Sequence, residues 1–182
     1  GQDNKALGKW QSSGLQDLVT EQKLTSAQQA KNGQINIVYQ TTGKCKGGML
    51  RMKTRYMLDN SDIIRVEHQI KVPKALEDLP RVGIRLALTD NLEEFSWFGK
   101  GPHETYCDRK ESGLLAVHHS TVSSQYVPYI LPQDHGNLTD VRWLQLNNSG
   151  GDGIKISAPN PIEASASHYP HEILTPAFHT YE

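Results

Sequence analysis

The sequence lacks long apolar segments and an excess of either charge. Its longest apolar runs, such as residues 114–117, span only a few residues, which is too short for a transmembrane helix. Nineteen lysines and arginines face twenty aspartates and glutamates, giving a net charge of -1, so we expect neither nucleic acid nor a membrane as partner. The first residues carry no signal-peptide pattern. The compartment, cytoplasmic or periplasmic, stays open.

Cysteine is scarce. Cys45 and Cys107 stand far apart and form no CxxC pair, so a zinc or thioredoxin-type site has no basis in the sequence. Two free, partly buried thiols are the preferred interpretation, and a single disulfide is the alternative.

Motifs that mark common catalytic centres are missing as well. HExxH, GxSxG, P-loop and GxGxxG patterns do not occur, and two successive histidines on a strand, His118 and His119, point to opposite faces. A histidine–glutamate pair is constructible from His103, His135 or His168 with Glu104 or Glu163, but spacing selects none of them. We therefore expect no metal and no cofactor in this chain, and the residues alone single out no catalytic residue.

Alternation of apolar and polar residues dominates the sequence after an initial helical stretch that breaks near Gly14. About ten short strands separated by turn residues predict an all-β antiparallel sandwich with one or two short helices. No linker divides the chain, so residues 1–182 are predicted to form a single domain. The strand-like stretches are 34–39, 48–56, 63–72, 81–88, 95–98, 114–120, 142–146, 154–157 and 162–168.

Two long loops, 99–113 and 122–140, combine aromatic, charged and proline residues between strands. Ordered loops on a β scaffold often bind ligands. The alternative is that the loops are structural and their polar groups bond within the loops. Trp97 would then lie in the core, and Asp108 and Arg109 would bond to the loop backbone. The candidate substrate-binding residues, with the two tryptophans as stacking rings, are Trp97, His103, Glu104, Arg109, Asp134, His135, Arg142 and Trp143.

These loops carry a family resemblance. WFGKGPHETYCDR (97–109) resembles the W-x-G-x-G-P-x-E-x-Y-x-D-R segment in the C-terminal, small-chain domain of family 2 β-galactosidases. YVPYILPQDHG (126–136) and TDVRW (139–143) are similar to a proline-rich stretch of the same domain. GKWQ (8–11) and SASHY (165–169) extend the similarity to nearly the whole chain. Asp134 replaces the family's glutamate, and Leu138 stands where many relatives carry arginine.

The resemblance implies a β-supersandwich like that of galactose mutarotases, here truncated at its C-terminus. The parent would be a retaining β-galactosidase that hydrolyses terminal β-D-galactosides such as lactose, with two catalytic glutamates on a (β/α)8 barrel absent from this chain. The remaining parent domains and the galactoside substrate are then the expected partners. By itself the chain is predicted to be non-catalytic.

Two alternatives remain: a stand-alone carbohydrate-binding module, and an aldose 1-epimerase that uses a histidine acid and a glutamate base. Truncation would also leave an unpaired sheet edge, from which we expect a homo-oligomer.

Overall fold

The computed structural model describes residues 2–76, 79–174 and 177. The described part is mostly antiparallel β-sheet with two short helices, which confirms the predicted all-β class. No helix in these ranges is long and apolar enough to cross a membrane. The chain divides into two compact units, Gly1–Ile84 and Arg85–Glu182, which are described separately. The single domain over residues 1–182 and the mutarotase-like supersandwich stay predictions.

The first unit is one four-stranded antiparallel sheet that follows helix α1. Gly14, with φ 74°, ends the helical segment in the left-handed conformation that glycine adopts without steric cost. The sheet order is β1-β2-β3-β4. The elements are α1 (Gln2–Ser12), β1 (Val19–Gln29), β2 (Ile35–Cys45), β3 (Gly48–Leu58) and β4 (Ile64–Lys71).

Strand register sorts the side chains of this sheet onto two faces. Ile37, Tyr56 and Val66 lie opposite one another on neighbouring strands and share an apolar face. Arg55 and Glu67 pair on the other face, with nitrogen and oxygen 3.7 Å apart. The predicted alternation of charged and apolar residues along these strands is therefore confirmed.

The second unit holds another four-stranded antiparallel sheet, in the order β6-β5-β7-β8. Alternate residues of its strand β5 are buried. Among them, the rings of Phe95 and Trp97 stack with their centroids 4.9 Å apart. Leu144 and Leu146 lie opposite them on β7 and complete the core. The elements are β5 (Glu94–Gly101), β6 (Leu114–Thr121), β7 (Leu138–Asn147), β8 (Gly153–Ala164) and α2 (His171–Leu174).

One predicted strand does not form, and two others are parts of a single strand. Residues 81–88 alternate as a strand would, but they pair with no described strand, and their apolar side chains are exposed. Alternation predicts an extended backbone but cannot supply a partner strand. Conversely, 154–157 and part of 162–168 belong to one strand, β8. The register with β7 shifts between the Trp143–Ser157 and Val141–Ile162 pairs, and this irregularity accommodates Pro159 and Pro161.

Candidate functional site

The candidate site is built from two loops of the second unit: the β5–β6 loop (102–113) and the β6–β7 loop (122–137). A buried polar network joins the two. The Thr105 N–H donates to the Asn137 carbonyl at 2.7 Å, and the Asn137 side-chain amide donates back to the Thr105 carbonyl at 2.8 Å. The Thr139 N–H donates to Thr105 Oγ1 at 2.9 Å. These bonds satisfy buried polar groups and fix the two loops relative to each other.

Glu104, next to that network, is the centre of a second cluster, which we call the Glu104 clamp: Glu104, Tyr106, Arg109, Tyr129 and the Gly136 amide. Oε1 accepts from Arg109 Nη2 at 2.6 Å and from the Tyr129 hydroxyl. Oε2 accepts from the Gly136 N–H at 2.9 Å and from the Tyr106 hydroxyl at 3.3 Å. A carboxylate offers about four acceptor positions, so these four donors occupy the group fully.

Electrostatics keep Glu104 ionised. Burial alone would raise the pKa of its carboxyl, but hydrogen bonds from Tyr129, the Gly136 amide and Arg109 outweigh burial and lower the pKa below its ordinary value. Burial, together with the negative charges of Glu104 and Asp134, raises the pKa of the Tyr106 phenol. Glu104 therefore stays a carboxylate and Tyr106 stays protonated as its donor. The carboxylate is suited to holding loops and poorly suited to donating a proton.

Arg109 is the clamp's exposed member. Its side chain is 58% exposed, against 11% for Glu104. The guanidinium also donates to the Tyr129 hydroxyl at 3.3 Å and lies 5.2 Å from the Tyr106 ring centroid. Hydrogen bonds from Arg109 to Tyr129 and Glu104 raise the pKa of the guanidinium further. Arg109 thus presents a fixed positive charge at the loop surface.

The other loop candidates occupy different environments. The His103 ring bonds to Ser112 Oγ within its own loop, at 2.9 Å, and its side chain is exposed. His135 is buried: Nδ1 donates to the Gln133 carbonyl at 3.0 Å, and the ring meets Tyr126 edge-on. The carbonyl of the half-buried Asp134 lies 3.4 Å from the Tyr106 hydroxyl oxygen and shares its one proton with Glu104 Oε2. Of all the candidate residues, the clamp contains Glu104 and Arg109, and the Asp134 carbonyl lies beside it through Tyr106.

Trp97 lies in the core, the alternative that the sequence left open. Its ring is completely buried, and the indole N–H donates to the Lys100 carbonyl at 3.0 Å. Phe95 stacks on it, and the His118 ring packs against it with centroids 5.2 Å apart.

Arg142 and Trp143 belong to a separate cluster on the sheet. Phe98 of β5 lies opposite Trp143 of β7. The Arg142 guanidinium sits 5.0 Å from the Phe98 ring centroid, and the Lys155 ammonium sits 4.5 Å from the Trp143 ring centroid. Both contacts are cation–π interactions. Trp143 is partly exposed, but a cation already occupies one of its ring faces.

Sequence reasoning missed Tyr106 and Tyr129, which donate to Glu104. Both stand inside the two motifs, Tyr106 two residues after Glu104 and Tyr129 one residue after Pro128. It also missed a pair beside the second loop, in which Glu93 contacts His168 Nε2 at 2.7 Å and accepts the Ser123 N–H at 2.8 Å. Hydrogen bonds from Ser123 lower the pKa of Glu93 to about 2.

Within the described ranges, no group of three or more histidine, cysteine, aspartate or glutamate side chains could hold a metal ion. Cys45 and Cys107 are both free thiols, the former partly buried and the latter exposed. The prediction of two free thiols is therefore confirmed, and the prediction that both are partly buried is wrong for Cys107.

Comparison with known proteins adds the family. A family model described as beta galactosidase small chain matches residues 2–182. The beta-galactosidase of Priestia megaterium is 34% identical over 114 residues, which cover 63% of this chain and 11% of that protein. The beta-galactosidase of Vibrio cholerae is 29% identical over 182 residues, covering 98% and 17%. That of Aeromonas hydrophila is 31% identical over 157 residues, covering 83% and 15%.

The chain therefore spans less than a fifth of the length of these relatives. The match over residues 2–182 includes both loop motifs and confirms the resemblance that they carry. The chain belongs to the beta-galactosidase small-chain family.

Proposed function

We propose that the chain is part of a retaining β-galactosidase that hydrolyses terminal β-D-galactosides such as lactose. Its own role is to scaffold and help complete an active site on a (β/α)8 barrel carried elsewhere in the parent protein. Support comes from the family match over residues 2–182 and from relatives named beta-galactosidase that are several times longer. The other parent domains and the galactoside are the partners in this proposal.

The proposal assigns no catalytic carboxyl to this chain, because it places both catalytic glutamates on the barrel of the parent protein, and the pKa values of three carboxyls in this chain argue against the acid role for them. A retaining glycosidase needs a carboxylic acid whose pKa is raised so that it can protonate the leaving group. The pKa values of Asp59, Glu93 and Glu104 are lowered, which is opposite to this requirement. Glu104, the carboxyl most central to the loops, also has its acceptor positions occupied.

We assign the sugar-facing role to the accessible part of the loop surface. Arg109 and His103 are exposed and Asp134 is half-buried, so they are accessible to sugar hydroxyls. Glu104 and His135 act behind them as supports. Arg142 and Trp143 stay candidates for a second contact surface, on which a sugar would have to displace Lys155 from the ring.

Turnover assays test the proposal. The purified 182-residue chain is expected to hydrolyse neither nitrophenyl galactoside nor lactose. In the parent enzyme, Arg109→Met is expected to raise KM, whereas the matched variant Arg51→Met, on an exposed residue of β3, leaves it unchanged. Turnover by the chain alone that disappears when one of its own carboxylates is substituted would refute the proposal.

The two alternative functions have their own assays. A carbohydrate-binding module would release heat when galactose or lactose is titrated into the chain, and we expect a flat trace. An epimerase would accelerate galactose mutarotation in a polarimeter. Glu93 and His168 form a histidine–glutamate pair, but they contact each other directly at 2.7 Å, which leaves no room for a sugar between them.

A further inference from the structure

The outward face of the second unit's sheet carries a row of apolar side chains. Val117 of β6, Phe98 of β5 and Trp143 of β7 lie opposite one another, so the row crosses three neighbouring strands. The core of the unit, which contains Trp97, lies on the other face of the same sheet. Val117 is 51% exposed, and Phe98 and Trp143 are partly exposed. An accessible apolar row of this kind is typical of an interaction surface.

Two cations lie over the rings of this row, and we call Phe98, Arg142, Trp143 and Lys155 the cation–ring face. Among the described residues, neither cation is paired with a carboxylate. The Arg142 guanidinium donates one hydrogen bond, at 2.7 Å, to the Asp140 carbonyl, and no acceptor in the described ranges bonds to the Lys155 ammonium. A guanidinium has five N–H donors and an ammonium has three, so most donors of both groups are available to a partner.

Nearby acidic residues do not neutralise these cations. The Asp140 carboxylate is paired with the Lys110 ammonium, with oxygen and nitrogen 3.5 Å apart. Glu94 lies on the same face of β5 as Phe98 but four residues away, which is about 13 Å along a strand. The cation–ring face therefore keeps an excess of positive charge, although the whole chain has a net charge of -1. A partner with complementary charge at this face is acidic.

We propose that the cation–ring face docks an acidic surface of the parent protein that lies outside these 182 residues. Carboxylates of that surface bind the available N–H groups of Arg142 and Lys155, and the apolar row supplies the contact area between them. Tryptophan and arginine are the residue types that contribute most often to the binding energy of interfaces. The chain spans less than a fifth of the length of its relatives, so the parent offers a large partner. This inference rests on the proposed function, in which the chain is part of a longer enzyme.

Two other occupants fit this face less well. A second copy of the chain would present the same residues, because a twofold contact joins a surface patch to itself, and cations would then meet cations. A sugar that stacks on Phe98 or Trp143 would have to displace the cation that lies over the ring. A carboxylate binds Arg142 and Lys155 while both stay in place.

Carbodiimide crosslinking of the intact parent enzyme tests the docking directly. The reagent joins a lysine amine to a carboxylate only when the two groups are in contact. We expect an amide bond from Lys155 to an aspartate or glutamate outside these 182 residues, mapped by mass spectrometry. Lys155→Arg is the matched control, because it keeps the charge over Trp143 but lacks the reactive amine, and it should lose the crosslink. Absence of a Lys155 crosslink in the wild type, or a crosslink to a residue within these 182, would overturn the proposal.

Charge reversal gives an independent measurement in the same enzyme. Lys155→Glu is expected to speed the oxidation of Trp143 by hydroxyl radicals roughly tenfold, because a carboxylate at this position repels the acidic surface. Lys155→Arg should keep the wild-type rate, and equal rates in the two variants would contradict the model. Wild-type protection of Trp143 that appears only when lactose is added would identify a sugar surface instead and overturn the docking.

Galactosidase turnover of the same preparations separates this inference from the proposed function. The crosslink requires no activity, so turnover without a Lys155 crosslink would refute the docking alone. A crosslink in a parent that hydrolyses no galactoside would support the docking and refute the galactosidase assignment alone.

Discussion

Replacing Glu104 with glutamine should release the β6–β7 loop while leaving the sheet intact. Glutamine keeps the shape of the side chain but exchanges one oxygen for an NH2 group that only donates. The tyrosine hydroxyls can rotate to accept from it, but Arg109 and the Gly136 amide cannot. Because Gly136 is buried and Arg109 is mostly exposed, we expect the new NH2 to face Arg109, which then moves into water.

The size of the effect follows from the bonds that change. One charge-assisted contact is lost, and the bonds from the Gly136 N–H and the Tyr106 hydroxyl become neutral ones. Hydrogen bonds to charged groups contribute roughly 1.5–3 kcal/mol and neutral ones about 1 kcal/mol, so we expect Glu104→Gln to lower the free energy of loop opening by about 2 kcal/mol. This corresponds to a roughly 30-fold change in the opening equilibrium.

Hydrogen exchange measures this opening locally. The Gly136 amide proton should exchange roughly 30-fold faster in Glu104→Gln, while the amides of Phe95 and Trp97 on β5 keep their wild-type rates. Glu94→Gln, the same change on an exposed carboxylate of β5, is the control and should alter neither. Arg109→Met should have a smaller effect than Glu104→Gln, because solvent screens the exposed partner. An unchanged Gly136 rate in Glu104→Gln would refute the clamp.

Acid should reproduce the same release in the wild-type protein. The pKa of Glu104 is lower in the folded chain than its ordinary value of about 4.3. Its stabilising contribution is therefore complete above that pH and is lost as the pH falls through the lowered pKa. Exchange at Gly136, corrected for the intrinsic pH dependence, should rise in this acidic range for the wild type. Glu104→Gln should show no such rise.

Two further substitutions test the supports of the site. Thr105→Val removes the hydroxyl that accepts the buried Thr139 N–H, so it should destabilise the second unit by roughly 1–3 kcal/mol. Denaturant unfolding measures this loss. An equal effect of Thr20→Val on the exposed strand β1 would contradict the prediction. Glu93→Gln removes a carboxylate whose pKa is lowered to about 2, so wild type and variant should differ in thermal stability at neutral pH and converge as the pH falls to about 2. A difference that persists in acid would show that the charge is not responsible.

The sheets were predictable because strand alternation reports which side chains share a face. The observed register keeps Arg51, Lys53 and Arg55 on one face of β3, as the alternation predicts. It likewise keeps Ile64 and Val66 on one face of β4. Pairing partners were not predictable, since they depend on contacts between residues distant in sequence. Residues 81–88 alternate as well as β4 does, yet they pair with no described strand.

The charged residues of the loops were predictable from the sequence, but which of them is buried and which is exposed was not. The motif placed Glu104 and Arg109 five residues apart in one loop, and nothing in that spacing tells which is buried. Burial is decided by Tyr129 and the Gly136 amide, donors contributed from 25 and 32 residues further along the chain. Once those donors occupy the carboxylate, a sugar hydroxyl can bind Glu104 only by displacing one of them. Arg109 has exposed N–H groups, so a galactoside at this surface should depend directly on Arg109, and on Glu104 only through the position of Arg109.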